Sequence, residues 1–88
     1  MSILTGSVGL RGDNRGADVL TIETLLHDNG YLPVAPNRNF NRETLNAIRA
    51  FQRTFMTTPT GLIEPDSESE VKLISLNPVA AAMGTMAG

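Results

Sequence analysis

The middle of the chain carries apolar side chains at the spacing of an α-helix, and this pattern constrains the fold more than any other feature. The helical face consists of Thr44, Ala47, Ile48, Phe51 and Phe55. Side chains three or four residues apart lie on the same side of a helix, so this face can be buried as a unit. Asn41 precedes the face and is a good N-cap, because its side chain can accept a hydrogen bond from the first turn. The pattern predicts a helix that follows Asn41, extends to Phe55 and lies at the centre of a compact α-domain.

Two further helices are predicted, one on each side of this segment. Residues 17–29 form the first, and Gly30 is placed to end it in a left-handed conformation. Its apolar side consists of Val19, Ile22, Leu25 and Leu26, with Leu20 as a further candidate. The third begins near Ser67, which forms a capping box with Glu70. Its apolar side consists of Val71, Leu73, Ile74 and Leu76, and Asn77 and Pro78 close it. Residues 62–63 are predicted as a short extended piece.

The length and composition fit one small domain. The chain has 88 residues, of which 41 % are hydrophobic and 18 % are charged. This is enough for one modest core, and the charged fraction is too low for a typical disordered chain. We expect an all-α fold, a compact three-helix bundle with Gly- and Pro-rich connecting loops. Residues 1–16 are predicted as an extended Gly-rich segment, residues 17–77 as the three-helix domain, and residues 78–88 as a flexible tail or linker.

Charge and residue usage argue against several classes of protein. The net charge of −2 disfavours nonspecific binding to nucleic acid, which needs clustered Lys and Arg. The sequence has no cysteine, which excludes a disulfide framework and a thiolate metal site. No stretch has the length of a membrane span, and the first residues do not resemble a Sec signal peptide. If the protein acts in the cell envelope, it needs an export route other than such a signal in this chain, and a cytoplasmic or phage-associated protein is the alternative.

The sequence offers little for catalysis, and we predict no catalytic residue, metal site or cofactor. The one histidine, His27, is expected to be solvated near a helix C-terminus, where positive charge is favoured. Glu64, Asp66, Glu68 and Glu70 gather at the start of the third helix. The helix dipole favours negative charge there, and a carboxylate pair for glycoside hydrolysis is the alternative interpretation. An enzyme would require a cleft with a pKa-perturbed carboxylate at this cluster.

Several segments of the chain resemble the peptidoglycan-binding domain family. Residues 19–31, VLTIETLLHDNGY, resemble its V-x-x-L-Q-x-x-L-x-x-x-G-Y helix. Residues 40–53, FNRETLNAIRAFQR, resemble its F-G-P-x-T-x-x-A-V-x-x-F-Q segment. Residues 60–65, TGLIEP, are similar to its D-G-x-V-G-P turn, and residues 11–16, RGDNRG, resemble its R-G-S-x-G entry. Leu73 stands where the family has its closing leucine. The likeness covers nearly the whole chain apart from the tail.

The chain departs from the family pattern at four places. Glu23 replaces the usual Gln, and Glu64 replaces a Gly. Asn41 replaces another Gly, and we expect Asn to tolerate the left-handed backbone of that turn. The Asp-Gly that usually precedes Phe40 is replaced by residues 36–39. The loop of residues 33–39 is thus altered beside the expected groove.

The resemblance implies a non-catalytic domain that binds bacterial cell-wall peptidoglycan and targets an associated hydrolase or effector to the wall. Muropeptide carries amides, hydroxyls and carboxylates, so the expected site is a shallow groove with a few donors and an aromatic wall. The candidate ligand-binding residues are Arg11, Asp13, Tyr31, Arg49 and Gln52. For Tyr31 and Gln52, which match family positions, a structural role is equally open. The alternative function is a protein–protein interaction module of a phage or secretion-system component.

Overall fold

In the computed structural model, which describes residues 2–76, the chain forms three helices and one pair of short strands. In chain order these are β1 (Val8–Gly9), α1 (Gly16–Asp28), α2 (Arg42–Gln52), β2 (Leu62–Ile63) and α3 (Glu68–Ser75). The strands are antiparallel, with Val8 opposite Ile63 and Gly9 opposite Leu62. The mostly helical three-helix class is confirmed, with the strand pair as an addition. The predicted tail, residues 78–88, and the predicted helix stop at Asn77 and Pro78 lie outside the described residues.

One hydrophobic core joins all of these elements. The buried apolar side chains are Leu4, Val8, Val19, Ile22, Leu25, Leu26, Leu32, Ala47, Ile48, Phe51, Ile63 and Leu73. Leu4 and Val8 belong to this core, so the N-terminal segment packs with the helices. This packing fixes the loops between residues 5 and 15 against the helical frame.

α2 buries the face that its periodicity predicts, although α1 is the helix that packs against both α2 and α3. Thr44, Ala47, Ile48 and Phe51 are all at most 2 % exposed. Asn41 caps the helix by accepting a hydrogen bond from the Thr44 N–H at 3.0 Å. The helix ends at Gln52, earlier than predicted.

Phe55 belongs to the turn that follows α2. Its N–H donates to the carbonyl of Gln52, three residues back, at 3.0 Å. Such a tightened turn often ends an α-helix. The Phe55 ring is half-buried and packs edge-on against Phe51, with ring centroids 5.2 Å apart. The prediction that Phe55 lies within the helix is therefore wrong, although its ring still contacts the core.

α3 buries a narrower face than the sequence predicts. Leu73 is fully buried, whereas Val71 is 59 % exposed and Leu76 is 42 % exposed. Side chains two residues apart on a helix point about 200° apart, so Val71 and Leu73 cannot both face the core. The Ser67 side chain caps the helix by accepting from the Glu70 N–H. In a capping box the Glu70 carboxylate would accept from the Ser67 N–H in return. It accepts instead from the N–H groups of Asp66 and Leu4 and from the Ser2 hydroxyl. The predicted capping box is thus only half formed.

Glu70 is one of three buried carboxylates that hold loop backbone. Asp18 accepts from the N–H groups of Thr5 and Gly6, each at 3.1 Å. Glu23, 1 % exposed, does the same for two N–H groups in the loop before α2. Hydrogen bonds to ionised acceptors are stronger than neutral ones, so each carboxylate is a firm attachment for its loop.

Acid should weaken the attachment at Asp18. Burial raises the pKa of this carboxyl, but hydrogen bonds from Thr5 and Gly6 and the charge of Arg15 outweigh it and lower the pKa below its ordinary value. The ionised group therefore stabilises the fold above about pH 4, and this stabilisation is lost as the pH falls through the folded-state pKa. We expect Asp18→Asn to lower the midpoint of urea unfolding at pH 7. Below about pH 4, we expect the midpoint to decrease less steeply with falling pH in this variant than in the wild-type protein. An unchanged midpoint at pH 7 would contradict this.

Candidate functional site

Gln52 is a structural hub beneath the turn between α2 and β2. Its side chain is fully buried. The amide oxygen accepts from the Gly61 N–H at 2.8 Å. The amide nitrogen donates to the Leu62 carbonyl at 3.0 Å and to the Ser69 and Thr60 hydroxyls at 3.1 and 3.2 Å. A ligand contact would have to break these bonds, so the geometry favours the structural role that the sequence left open for Gln52.

The turn that Gln52 holds also touches the N-terminal loop. The Leu10 N–H donates to the Gly61 carbonyl at 2.8 Å, next to the pairing of β1 with β2. Gly9 has a φ of 128°, and a Cβ built on it would overlap the Gly61 carbonyl oxygen. Glycine is therefore needed at position 9 for the two segments to approach this closely.

The loop that carries Arg11 and Asp13 is braced from within by Asn14. The Asn14 side chain accepts from the Gly9 N–H at 2.8 Å and donates to the Gly9 carbonyl at 2.9 Å. Arg11 and Asn14 both adopt positive φ angles, 64° and 52°. Arg11 and Asp13 are exposed, so a closed, internally bonded loop presents both charged side chains to solvent. The sequence indicated turn formers here but not this bracing role of Asn14.

Arg49 lies over the other side of the same turn. Its Nε is 3.2 Å from the position that a Cβ on Gly61 would occupy, and the side chain is half-buried. The Gly61 carbonyl also accepts the hydrogen bond from Leu10, the residue before Arg11. The Arg49 side chain and the loop of residues 11–13 therefore both lie next to the turn at Gly61. We call Arg11 and Arg49, the two side chains beside the buried Gly61 turn, the Gly61 surface. The Arg49 guanidinium can donate hydrogen bonds to carboxylates and to amide or sugar oxygens.

Tyr31 belongs to a different part of the molecule. It is half-buried and packs edge-on against Phe51, with ring centroids 5.7 Å apart. Phe51 leaves α2 about 200° away from Arg49, because the two residues are two positions apart. The five predicted ligand-binding residues therefore do not form one continuous surface. Arg49 lies against the Gly61 turn and Arg11 follows the residue that bonds to it, whereas the Asp13 carboxylate lies beside Gly6. Gln52 lies beneath the turn, and Tyr31 lies with the aromatic cluster.

The altered loop before α2 is fixed by Glu23. Its carboxylate accepts from the N–H groups of Asn37 and Arg38, both at 2.9 Å, and from the Thr44 hydroxyl at 3.1 Å. Arg38 has the left-handed backbone, with φ of 68°, whereas Asn41 is extended, with φ of −142°. The expectation of a left-handed Asn41 is wrong, because this residue acts as the helix cap instead. The departure at position 23 therefore gives the loop a defined anchor.

The groups considered for catalysis have structural or solvated positions. His27 is exposed, and its Nδ1–H donates to the Leu32 carbonyl at 2.9 Å. In the acidic cluster, Glu70 is buried against backbone N–H groups, and Glu68 lies 4.0 Å from Lys72. Within residues 2–76, no group of three or more His, Asp or Glu side chains is arranged to hold a metal ion. Across that same part of the chain, no helix has the length and apolar character to cross a membrane.

The fold and the Gly61 surface define a small, mostly helical domain built around a braced glycine turn. The model of a family described as "putative peptidoglycan binding domain" matches residues 15–66, more than half of the chain. The chain therefore belongs to the peptidoglycan-binding domain family, as the resemblance indicated. The match includes α1, α2 and β2 but not Arg11 and Asp13. No curated protein matches the chain, and no solved structure does.

Proposed function

We propose that this domain binds bacterial cell-wall peptidoglycan without cutting it and holds an associated cell-wall hydrolase or effector at the wall. The family assignment over residues 15–66 carries this proposal. A weak tether is enough for this task, because it raises the effective concentration of a catalytic partner near an insoluble substrate. The corresponding location is the bacterial cell envelope.

The Gly61 surface is the proposed contact with the wall. Arg49 and Arg11 supply donors suited to the carboxylates and amide carbonyls of muropeptide. The contact is pre-organised, because Gln52 holds the Gly61 turn and Asn14 closes the loop beside it. Pre-organisation reduces the conformational entropy lost on binding, which matters for a shallow site with few contacts. Tyr31 remains a candidate for a separate aromatic contact, and Gln52 supports the site from below.

The test is retention of the folded protein on purified, insoluble peptidoglycan sacculi. We expect the wild-type chain to sediment with sacculi and Arg49→Ala to bind about tenfold more weakly, since a charged hydrogen bond contributes about 1.5 kcal/mol or more. Lys72→Ala is the matched control. It removes the same charge from α3, where Lys72 lies 5.3 Å from the centre of the Phe55 ring. Far-UV circular dichroism of each variant reports whether the helices persist.

The outcomes separate the candidate functions. Equal loss of binding in Arg49→Ala and Lys72→Ala would argue against the Gly61 surface as the contact. If the folded wild-type protein stays entirely in the supernatant, wall binding fails and the protein-interaction alternative takes precedence. Release of soluble fragments from the sacculi by the domain alone would contradict the non-catalytic assignment.

A further inference from the structure

An open apolar groove runs between α1 and α3, away from the Gly61 turn. Its volume is about 420 Å³, and it is lined by Ile3, Leu20, Thr21, Thr24, Leu25 and Ile74. Among residues 2–76, no charged side chain lines it. The side chain of Ile3 at its edge is 47 % exposed. A groove of this size and character can bury several apolar side chains.

The two threonines make the groove more apolar than their residue type suggests. The Thr21 hydroxyl donates to the Ala17 carbonyl at 3.0 Å, and the Thr24 hydroxyl donates to the Leu20 carbonyl at 2.8 Å. Both hydroxyls are thus turned back onto the helix backbone, which leaves the methyl groups as the outward parts of these side chains. The groove wall therefore favours an apolar occupant over a sugar or an ion.

The sequence that follows α3 has the chemistry and the position to be that occupant. Ile74 lines the groove and lies in the last turn of α3, so the chain leaves the helix at the edge of the groove. Residues 77–88 carry no charge and include Val79, Met83 and Met86. Methionine is unbranched and flexible, so it fills irregular apolar surfaces well.

We propose that apolar side chains of residues 77–88 cover this groove and complete the core on the α1–α3 side. The distances allow it: four residues can span up to about 13 Å. The stretch of α1 from Leu20 to Leu25 is only about 8 Å long. Burial of Ile3 and Ile74 by this segment would remove apolar surface from water. This inference is independent of the proposed binding to peptidoglycan.

The test places a single thiol in the groove of the 88-residue chain, which has no cysteine of its own. Thr24→Cys is made in two backgrounds. The first is the wild-type chain, and the second carries Val79→Ser and Met83→Gln. These two substitutions introduce no charge, so they do not change the thiol pKa through a new charge. We expect iodoacetamide to modify the thiol at least about threefold faster in the second background. A change in rate of this size is expected if the free energy gained by burying apolar side chains exceeds the entropic cost of ordering the chain by only a small amount.

Val71→Cys is the matched control, because Val71 is 59 % exposed on α3 and does not line the groove. Its modification rate should be the same in both backgrounds. Equal rates for Thr24→Cys in the two backgrounds would overturn the proposal. Protection of this thiol that grows with protein concentration would also overturn it, because a second copy would then be the occupant. Thr21→Cys reports on the same groove if Thr24→Cys disturbs folding.

Discussion

Gln52→Ala is expected to lower the free energy of unfolding by about 3 kcal/mol or more, one of the largest effects of any substitution considered for this protein. The change removes the acceptor for the Gly61 N–H and the donor to the Leu62 carbonyl and the Ser69 hydroxyl. Each buried group left without a partner costs about 1–3 kcal/mol, and the loss of side-chain volume adds a cavity. A domain of this size has only about 4–13 kcal/mol of stability, so part of the population should unfold.

Urea denaturation followed by circular dichroism measures this effect. Arg53→Ala is the control, because Arg53 is the exposed neighbour of Gln52 and its truncation should change stability by no more than about 0.5 kcal/mol. Equal midpoints for the two variants would show that the buried amide contributes little. The result also bears on wall binding: Gln52→Ala should lower the stability together with the retention on sacculi, whereas Arg49→Ala should weaken retention without a comparable loss of stability.

Gly9→Ala is expected to cost about 3 kcal/mol or more, because the new methyl group meets backbone that cannot rotate away. Besides the Gly61 carbonyl oxygen, it would lie 2.9 Å from the Leu62 Cα and 3.0 Å from the Gly61 carbonyl carbon. The substitution also places a side chain at a φ of 128°. We expect the strand pair to separate, and the Leu10 N–H, which bonds to Gly61, to lose its protection from hydrogen exchange.

Gly30→Ala separates the two causes of the cost of Gly9→Ala, which are the overlap with backbone atoms and the positive φ. Gly30 also has a positive φ, 83°, but a Cβ there would meet no atom within 4 Å. Its cost should therefore be only the conformational one, about 1–2 kcal/mol. If Gly9→Ala lowers the free energy of unfolding no more than Gly30→Ala does, the contact between Gly9 and Gly61 is looser than the distances indicate.

The sequence allowed the helical frame to be predicted because local signals and burial agree there. Thr44, Ala47, Ile48 and Phe51 repeat at helical spacing and are buried, and Asn41 caps the helix as its residue type suggests. The prediction was wrong where tertiary packing decides between equally suitable residues. Val71 is as apolar as Leu73, yet only Leu73 faces the core, and no local pattern distinguishes the two.

The candidate site was harder to predict, because its geometry depends on contacts between distant segments. Gln52 has a side chain suited to ligand binding, and only the approach of β2 and α3 gives its amide internal partners. Likewise, the altered loop near residue 38 gave no sign that Glu23, from the middle of α1, would hold its backbone. A carboxylate on the surface and one buried under a loop look the same in a sequence.

The burial of carboxylates has an electrostatic consequence. The formal charge of −2 counts nine acidic side chains, but Asp18, Glu23 and Glu70 are inside the protein. The solvent-facing groups are therefore six acidic and seven basic side chains. From a distance the protein is a weak anion, whereas its solvent-facing side chains, summed over the whole molecule, carry one positive charge in excess and can attract a negatively charged polymer. Attraction of this kind acts only within about a Debye length of the surface, so it favours adhesion over long-range capture.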